Sequence, residues 1–317
     1  MDMVTLRQIP FGSVFCAPGA LGFFGEGYSY QRILRLLFGD IWSGVTFAAK
    51  TVTGEPRAGN LPLGRDQISP LEWLPRSICI KFGSGHVLNG VGLSNPGVAY
   101  LLAQNRWQQR TEPFVLSWAA VGQTPEAREW EIALLTQLTH WYQRTFKAPF
   151  AIQLNCGCPN TGRADALDVT EIGRWLQIAA VLGVPLLVNV SVVTPVPVLL
   201  QLAELPGCDA LWIANTIPWS YPGIDWQRLF GDTVSPLIRR GLSEPGGLSG
   251  PACLPFAIDR VVQCRQNGLK LPIIAGNGIQ TVADVQRVMA AGADGIALGI
   301  VGLLRPWRLP EIISTVP

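Results

Sequence analysis

Short apolar runs alternate with stretches of helical periodicity along most of this 317-residue chain. Residues 45–49, 114–119, 151–154, 186–192, 210–214, 272–275 and 295–298 are nearly continuous in apolar side chains, the pattern of strands buried on both faces. Between them, residues 125–146, 169–182, 255–267 and 281–291 repeat apolar positions at helical spacing. Strand and helix in regular alternation predict a parallel sheet covered by helices. The regularity, and the lack of a G-x-G-x-x-G after the first of these strands, favour a closed (β/α)8 TIM barrel over an open doubly wound sheet. Residues 1–317 read as a single barrel domain with its active site at the C-terminal ends of the strands.

Composition narrows the class. Hydrophobic residues make up 48% of the chain, enough for one large core. Lysine and arginine number 24 against 22 acidic residues, with no long basic run, so a nucleic-acid groove is not expected. Seven scattered cysteines without a C-x-x-C pair argue against a disulfide framework, a structural zinc or an iron–sulfur cluster, and suggest a reducing cytoplasm. The uncharged stretch from Trp175 to Ala203 looks membrane-spanning by hydropathy alone. Gly183, Pro185, Asn189, Pro195 and Pro197 break it into a helix end, a strand and a Pro-opened helix, so no stable membrane insertion is expected.

Polar residues cluster where these strands end. Ile152-Gln153-Leu154 runs directly into Asn155-Cys156-Gly157-Cys158-Pro159-Asn160, an apolar strand breaking into a loop rich in chemistry. Cys158 is set between a permissive Gly and a restrictive Pro, which fixes the direction of its thiol. Cys156, beside the strand end, reads as a small buried hydrophobe. Asn155 and Asn160 offer amides that donate and accept, suited to a planar ligand with alternating C=O and N–H groups. Lys50 follows the strand 45–49, Asn189 lies near the end of 186–192, and Asn215 with Thr216 closes 210–214. Three glycine clusters follow late strands or precede helices: Gly246 to Gly250, Gly276-Asn277-Gly278, and Gly299. Each alone is an ordinary turn. Together at one barrel rim they form a phosphate-site signal, in which glycine backbone N–H groups and helix N-termini face an anion. His86 and His140 lack partners at metal-ligand spacing, so no metal is expected. The tryptophans read as packing, with Trp219 able to line a pocket.

The chain resembles the dihydroorotate dehydrogenase family of FMN-dependent (β/α)8 barrels, in matching segments that keep the family's order over nearly its whole length. These are Ala17-Pro18-Gly19, Gly22-Phe23 and Gly25-Glu26; Lys50 to Thr53 with Glu55-Pro56-Arg57 and Gly59-Asn60; and Leu88 to Gly97. They continue with Asn155 to Asn160, Ala214-Asn215-Thr216, Gly246 to Pro251, Gly276 to Ile279 and Gly295 to Gly299. The resemblance implies oxidation of dihydroorotate to orotate, with Cys158 as general base at C5 and flavin N5 accepting hydride from C6. A Cys at this position is similar to the soluble class 1 branch.

By the same resemblance, Lys50 lies at flavin and substrate, and Asn89, Asn155, Asn160 and Asn215, with Gly92, Leu93 and Thr216, surround the pyrimidine. Ala17, Gly19, Thr51, Asn89, Asn155 and Asn189 border the flavin. Gly246, Gly247, Gly276, Asn277, Gly278, Gly299 and Ile300 belong to its phosphate end. Three residues depart from the family pattern: Asn189 stands where a lysine is usual, Pro18 replaces a Ser and Ile300 a Thr. The loop Thr161-Gly162-Arg163-Ala164-Asp165 is also short. These departures keep two alternatives open: a divergent member acting on another cyclic amide, and a catalytically weak FMN-binding protein. The resemblance further suggests a homodimer and, for NAD use, an electron-transfer partner; fumarate is the other acceptor considered.

Overall fold

The computed structural model describes residues 3–28, 30–31, 36, 39–156 and 167–316. An antiparallel hairpin of β1 (Val4–Leu6) and β2 (Ile9–Gly12) opens the chain. Then come β3 (Val14–Cys16), β4 (Ile78–Lys81), β5 (His86–Asn89), β6 (Phe114–Trp118), β7 (Phe150–Asn155), β8 (Leu186–Ser191) and β9 (Ala210–Asn215). The strands β10 (Ile217–Pro218), β11 (Gly247–Ser249), β12 (Ile273–Gly276) and β13 (Gly295–Leu298) complete the set.

Seven strands form one parallel sheet in the order β3-β13-β12-β9-β8-β7-β6. Residues 46–49 join its two edges. Phe15 bridges Thr46 and Ala48 bridges Val115, both in parallel sense, with Cys16 N–H donating to Thr46 O (3.0 Å) and Ala49 N–H to Val115 O (2.9 Å). The sheet therefore closes on itself as the expected eight-stranded barrel, with residues 46–49 as its second strand. All five residues of β6 are buried, as are the first five of β7 and of β8. A strand covered by helices outside and barrel core inside has no solvent face to carry polar residues, hence runs that are mostly apolar, with Ser117, Gln153 and Asn189 the buried exceptions in β6, β7 and β8.

The predicted helices form, with ends set by caps. Pro125–Gln143 starts at Thr124, whose side chain accepts from Ala127 N–H. Val169–Ala179 starts at Asp168, which accepts from Thr170 and Glu171 N–H. The tail of the expected helix 169–182 tightens into a 3-10 turn, Ala180–Leu182, and stops at Gly183 with φ 67°. The uncharged Trp175–Ala203 stretch is thus a helix end, β8, and the helix Val196–Ala203. No helix among the described residues is long and apolar enough to cross a membrane.

Two features depart from the sequence reading. The strand before Lys50 is the second of the barrel, because the three-residue β3 is too short to show a period. A second sheet, antiparallel in the order β10-β11-β5-β4, also stands over the rim. It sets Asn89 opposite both Gly247 and Ile78.

Candidate active site

A cavity of about 230 Å³ opens at the C-terminal ends of the barrel strands. A single water needs roughly 15 Å³ by the same measure, so the space suits a multi-ring ligand. Barrel strands and the turns after them contribute Ala17, Gly19, Lys50, Thr51, Asn155, Asn189, Asn215, Thr216, Asn277, Gly278, Gly299 and Ile300. The second sheet and the turn after it contribute Asn89, Gly92 and Leu93. Fifteen of the residues expected at the site thus meet around one space. Gly246, Gly247 and Gly276 are not in its wall. Gly247 is a strand residue paired with Asn89 and Pro218, and Gly246 backs onto Asn89, whose carbonyl O would lie 2.8 Å from an added Cβ. Gly276 is where barrel strands crowd, a Cβ there meeting Ala297 O at 2.5 Å. Cys158 and Asn160, with the loop 161–165, lie outside the described residues.

The amides are tied to each other and to the backbone. Asn215 Nδ2 donates to Asn155 Oδ1 at 2.7 Å, and Asn189 Nδ2 approaches the same oxygen at 3.5 Å. Asn155 Nδ2 donates to Thr51 Oγ1 at 3.1 Å. Asn277 has φ 67°, a left-handed conformation that Asn tolerates better than most residues. There its Nδ2 donates to Asn215 O (3.1 Å) and its Oδ1 accepts from Gly250 N–H (3.2 Å). Lys50 Nζ donates to Ser94 O and lies 4.6 Å from the Phe23 ring centre, so it belongs to the pocket rather than to a solvated strand cap. Three buried polar atoms of the wall have no hydrogen-bond partner among the described residues: Asn189 Oδ1, Thr216 Oγ1 and Trp212 Nε1. A buried orphan of this kind costs about 1–3 kcal/mol unless a ligand or water satisfies it, so the cavity is built to hold something polar.

Sequence reasoning missed part of the wall. Trp212, read as packing, does pack edge-on against Phe15 (5.3 Å), yet it also lines the cavity; Trp219 is not in the wall and instead packs at a tilt against Trp226 and Phe230. Tyr28 and Leu303 were also missed, being ordinary residues whose place depends on chain return. Burial pushes the Tyr28 phenol up to about 12, so it stays neutral and can donate.

One of the helix N-termini expected to face an anion is already occupied. The helix after Gly278, Val282–Ala290, is closed by its own capping box: Gln280 and Thr281 N–H both donate to Asp284 Oδ2. A carboxylate already sits on that positive end, leaving the loop at Gly278 and the turn at Gly299-Ile300 for an anion. Gly278 has φ 111°, and an added Cβ would lie 2.6 Å from Gly250 O, so the turn admits only glycine.

Residues 5–316 match the family model described as Dihydroorotate dehydrogenase. The chain belongs to the dihydroorotate dehydrogenase family. Enzymes of this family are oxidoreductases of CH–CH bonds that oxidise dihydroorotate to orotate with a flavin. Among relatives, the dihydroorotate dehydrogenase B (NAD(+)) catalytic subunit of Listeria monocytogenes serotype 4b is 32% identical over 305 residues, covering 94% of this chain and 87% of the relative. That of Anoxybacillus flavithermus is 31% identical over 307 residues, covering 94% and 85%. In fold, the chain is similar to the crystal structure of DHODH from Eimeria tenella in complex with ferulenol, with TM-score 0.68 and 17% identity over 98% of this chain and 82% of that one.

His86 lies outside the cavity wall, on β5 three residues before Asn89. Its Nε2 accepts from Ala252 N–H (3.1 Å), so Nδ1 carries the proton, facing Ser84 Oγ at 3.0 Å. Burial lowers its pKa below the usual histidine value. Neutral His86 is therefore favoured by folding: its contribution is complete above the unfolded value of about 6.5 and is lost as pH falls from there through the lower folded value. His86→Gln, which keeps an acceptor for Ala252 but cannot titrate, is expected to show a smaller loss of urea midpoint between pH 7.5 and 5.5 than the unaltered protein. Equal losses would rule His86 out as a source of acid sensitivity.

Proposed function

We propose that this chain oxidises dihydroorotate to orotate at the rim cavity, with FMN as its flavin and Cys158 as the base that removes the C5 proton. The observation that carries the reading is the convergence of Lys50, Asn89, Asn155, Asn189 and Asn215 on one cavity, in whose wall Asn189 Oδ1, Thr216 Oγ1 and Trp212 Nε1 have no partner among the described residues. FMN fits the residues present: Ala17 and Gly19 leave a flat, side-chain-poor wall, and Gly278, Gly299 and Ile300 form a turn region where backbone can approach a phosphate. Bound flavin supplies the hydride acceptor. The protein's part is to hold the pyrimidine by its amides, keep Lys50 near the ring's charge, and take the proton at Cys158.

The test is the visible spectrum of the purified protein, followed by anaerobic addition of dihydroorotate. Bleaching of a flavin band supports the reading. A colourless protein that FMN cannot reconstitute overturns the cofactor, and a coloured protein inert to dihydroorotate overturns the substrate. The neutral Asn189 favours a second reading, in which another cyclic amide is the substrate; a panel of such amides in the same assay separates the two. Asn160→Ala and Asn215→Ala are each expected to weaken orotate binding roughly fivefold, the worth of one net hydrogen bond of about 1 kcal/mol, with flavin retained. Unchanged orotate affinity in both contradicts a dihydroorotate-like pocket.

We also propose cytoplasmic residence, a homodimer, and a partner subunit if NAD is the acceptor. The scattered cysteines of this chain offer no cluster spacing, and the Listeria relative is described as a catalytic subunit of an NAD(+) enzyme.

A further inference from the structure

Beneath the cavity floor a line of polar side chains runs into the apolar barrel. Thr51 Oγ1 lies 2.8 Å from Ser117 Oγ, and Ser117 Oγ donates to Gln153 Oε1 at 2.8 Å. Ser117 and Gln153 are at most 1% exposed and neither lines the cavity. They face each other in register on β6 and β7. Polar groups at this depth are costly unless hydrogen-bonded, and a barrel filled by branched apolar residues has no packing need for them.

The directions of the bonds follow from the two ends, Asn215 at the rim and the Gln153 oxygen in the interior. Asn215 Oδ1 accepts from Thr216 backbone N–H (2.9 Å), so its other end is the amide Nδ2, which donates to Asn155 Oδ1. That turns Asn155 Nδ2 toward Thr51 Oγ1, which accepts. Ser117 gives its single proton to Gln153, so the proton in the Thr51–Ser117 contact comes from Thr51. Donation then runs one way: Asn215 to Asn155 to Thr51 to Ser117 to Gln153. Each bond polarises the next in a low-dielectric interior.

We propose that Ser117 and Gln153 are positioning residues for ligand recognition: by drawing the Thr51 proton inward they fix the Asn155 amide, leaving its second N–H as a donor for a ring carbonyl of the ligand. Without them the Thr51 hydroxyl can turn outward, and Asn155 loses its fixed acceptor. The proposal rests on the pyrimidine-binding reading for its ligand, but the chain itself has a separate readout.

The experiment compares Ser117→Ala and Gln153→Met with the unaltered protein by orotate titration of the flavin spectrum, and by NMR of the Asn side-chain amides in protein labelled with [15N]asparagine. Either variant is expected to weaken orotate roughly fivefold, to raise KM for dihydroorotate more than it lowers kcat, and to speed solvent exchange of the Asn155 side-chain amide. In an Asn155→Ala background, Ser117→Ala is expected to add nothing further to the loss of orotate affinity, because its effect passes through Asn155. A purely structural role predicts additive losses instead, and additivity overturns the proposal. So does an Asn155 amide unchanged in shift and exchange in both variants. If the unaltered protein ignores orotate, the substrate reading fails while the amide exchange still decides the chain; if Ser117→Ala does not fold, Gln153→Met carries the comparison.

Discussion

Replacing Cys158 by alanine is expected to slow reduction of the bound flavin by dihydroorotate about a hundredfold or more, with the flavin still in place. A thiol suits proton removal near neutrality because its reference pKa of about 8.5 lies within reach of the thiolate once nearby dipoles favour it. The other cysteines do not compete for the role. Burial raises the Cys16 and Cys208 thiols to about 12. Cys16 is held by Ala48, whose N–H donates to its sulfur at 3.0 Å. Cys156 is half-buried and donates back to Leu154 O at 3.5 Å, a strand-end contact. Cys156→Ala is accordingly expected to leave the reductive half-reaction within a few-fold of the unaltered protein. Stopped-flow reduction of both variants decides the matter: a silent Cys158→Ala beside a damaging Cys156→Ala reverses the two roles.

How much of this was legible depends on the kind of signal each residue carries. Strands such as Phe114–Trp118 and Leu186–Ser191 stood out because both faces are buried and apolar residues dominate them, with Ser117, Asn189 and the terminal Ser191 as the polar exceptions. The three-residue Val14–Cys16 and the bridged residues 46–49 close the barrel, yet only the second was seen, since three residues carry no period. The β10-β11-β5-β4 sheet was missed for another reason: its pairs are 158 to 162 positions apart at the β5-β11 contact, and Gly247 gives no β-propensity hint. Asn155, Asn189 and Asn215 were visible because an amide at the end of an apolar run has little structural reason to be there, whereas Asn89 came only from the family resemblance. Trp212 and Tyr28 were not, because an aromatic residue fits a core as readily as a pocket. The inward chain was hidden most deeply. Ser117 and Gln153 sit inside strands, and only the register of β6 against β7 brings them together beneath Thr51.

Asn189→Lys is expected to raise the two-electron potential of the bound flavin, by about 30 mV for each 1.4 kcal/mol that the new charge contributes. Asn189 lines the cavity and is 3% exposed; among the described residues its Oδ1 has no partner and its Nδ2 makes only the long 3.5 Å approach to Asn155. An amide there offers a neutral hydrogen bond, whereas an ammonium adds a cation, and a cation beside the ring favours electron uptake. By the family resemblance, in which a lysine is usual at this position, the residue would lie near flavin N1 and O2. Faster reduction by dihydroorotate should accompany the rise, since the same charge favours the product of that step. Burial works against the effect, because desolvation disfavours the charged lysine and can hold it neutral. The potential measured as a function of pH separates the cases: a rise that disappears as the new lysine deprotonates identifies the charge as the cause. A potential unmoved at every pH, with the lysine shown charged, assigns the balancing of flavin charge to Lys50 or to the turn at Gly299 instead.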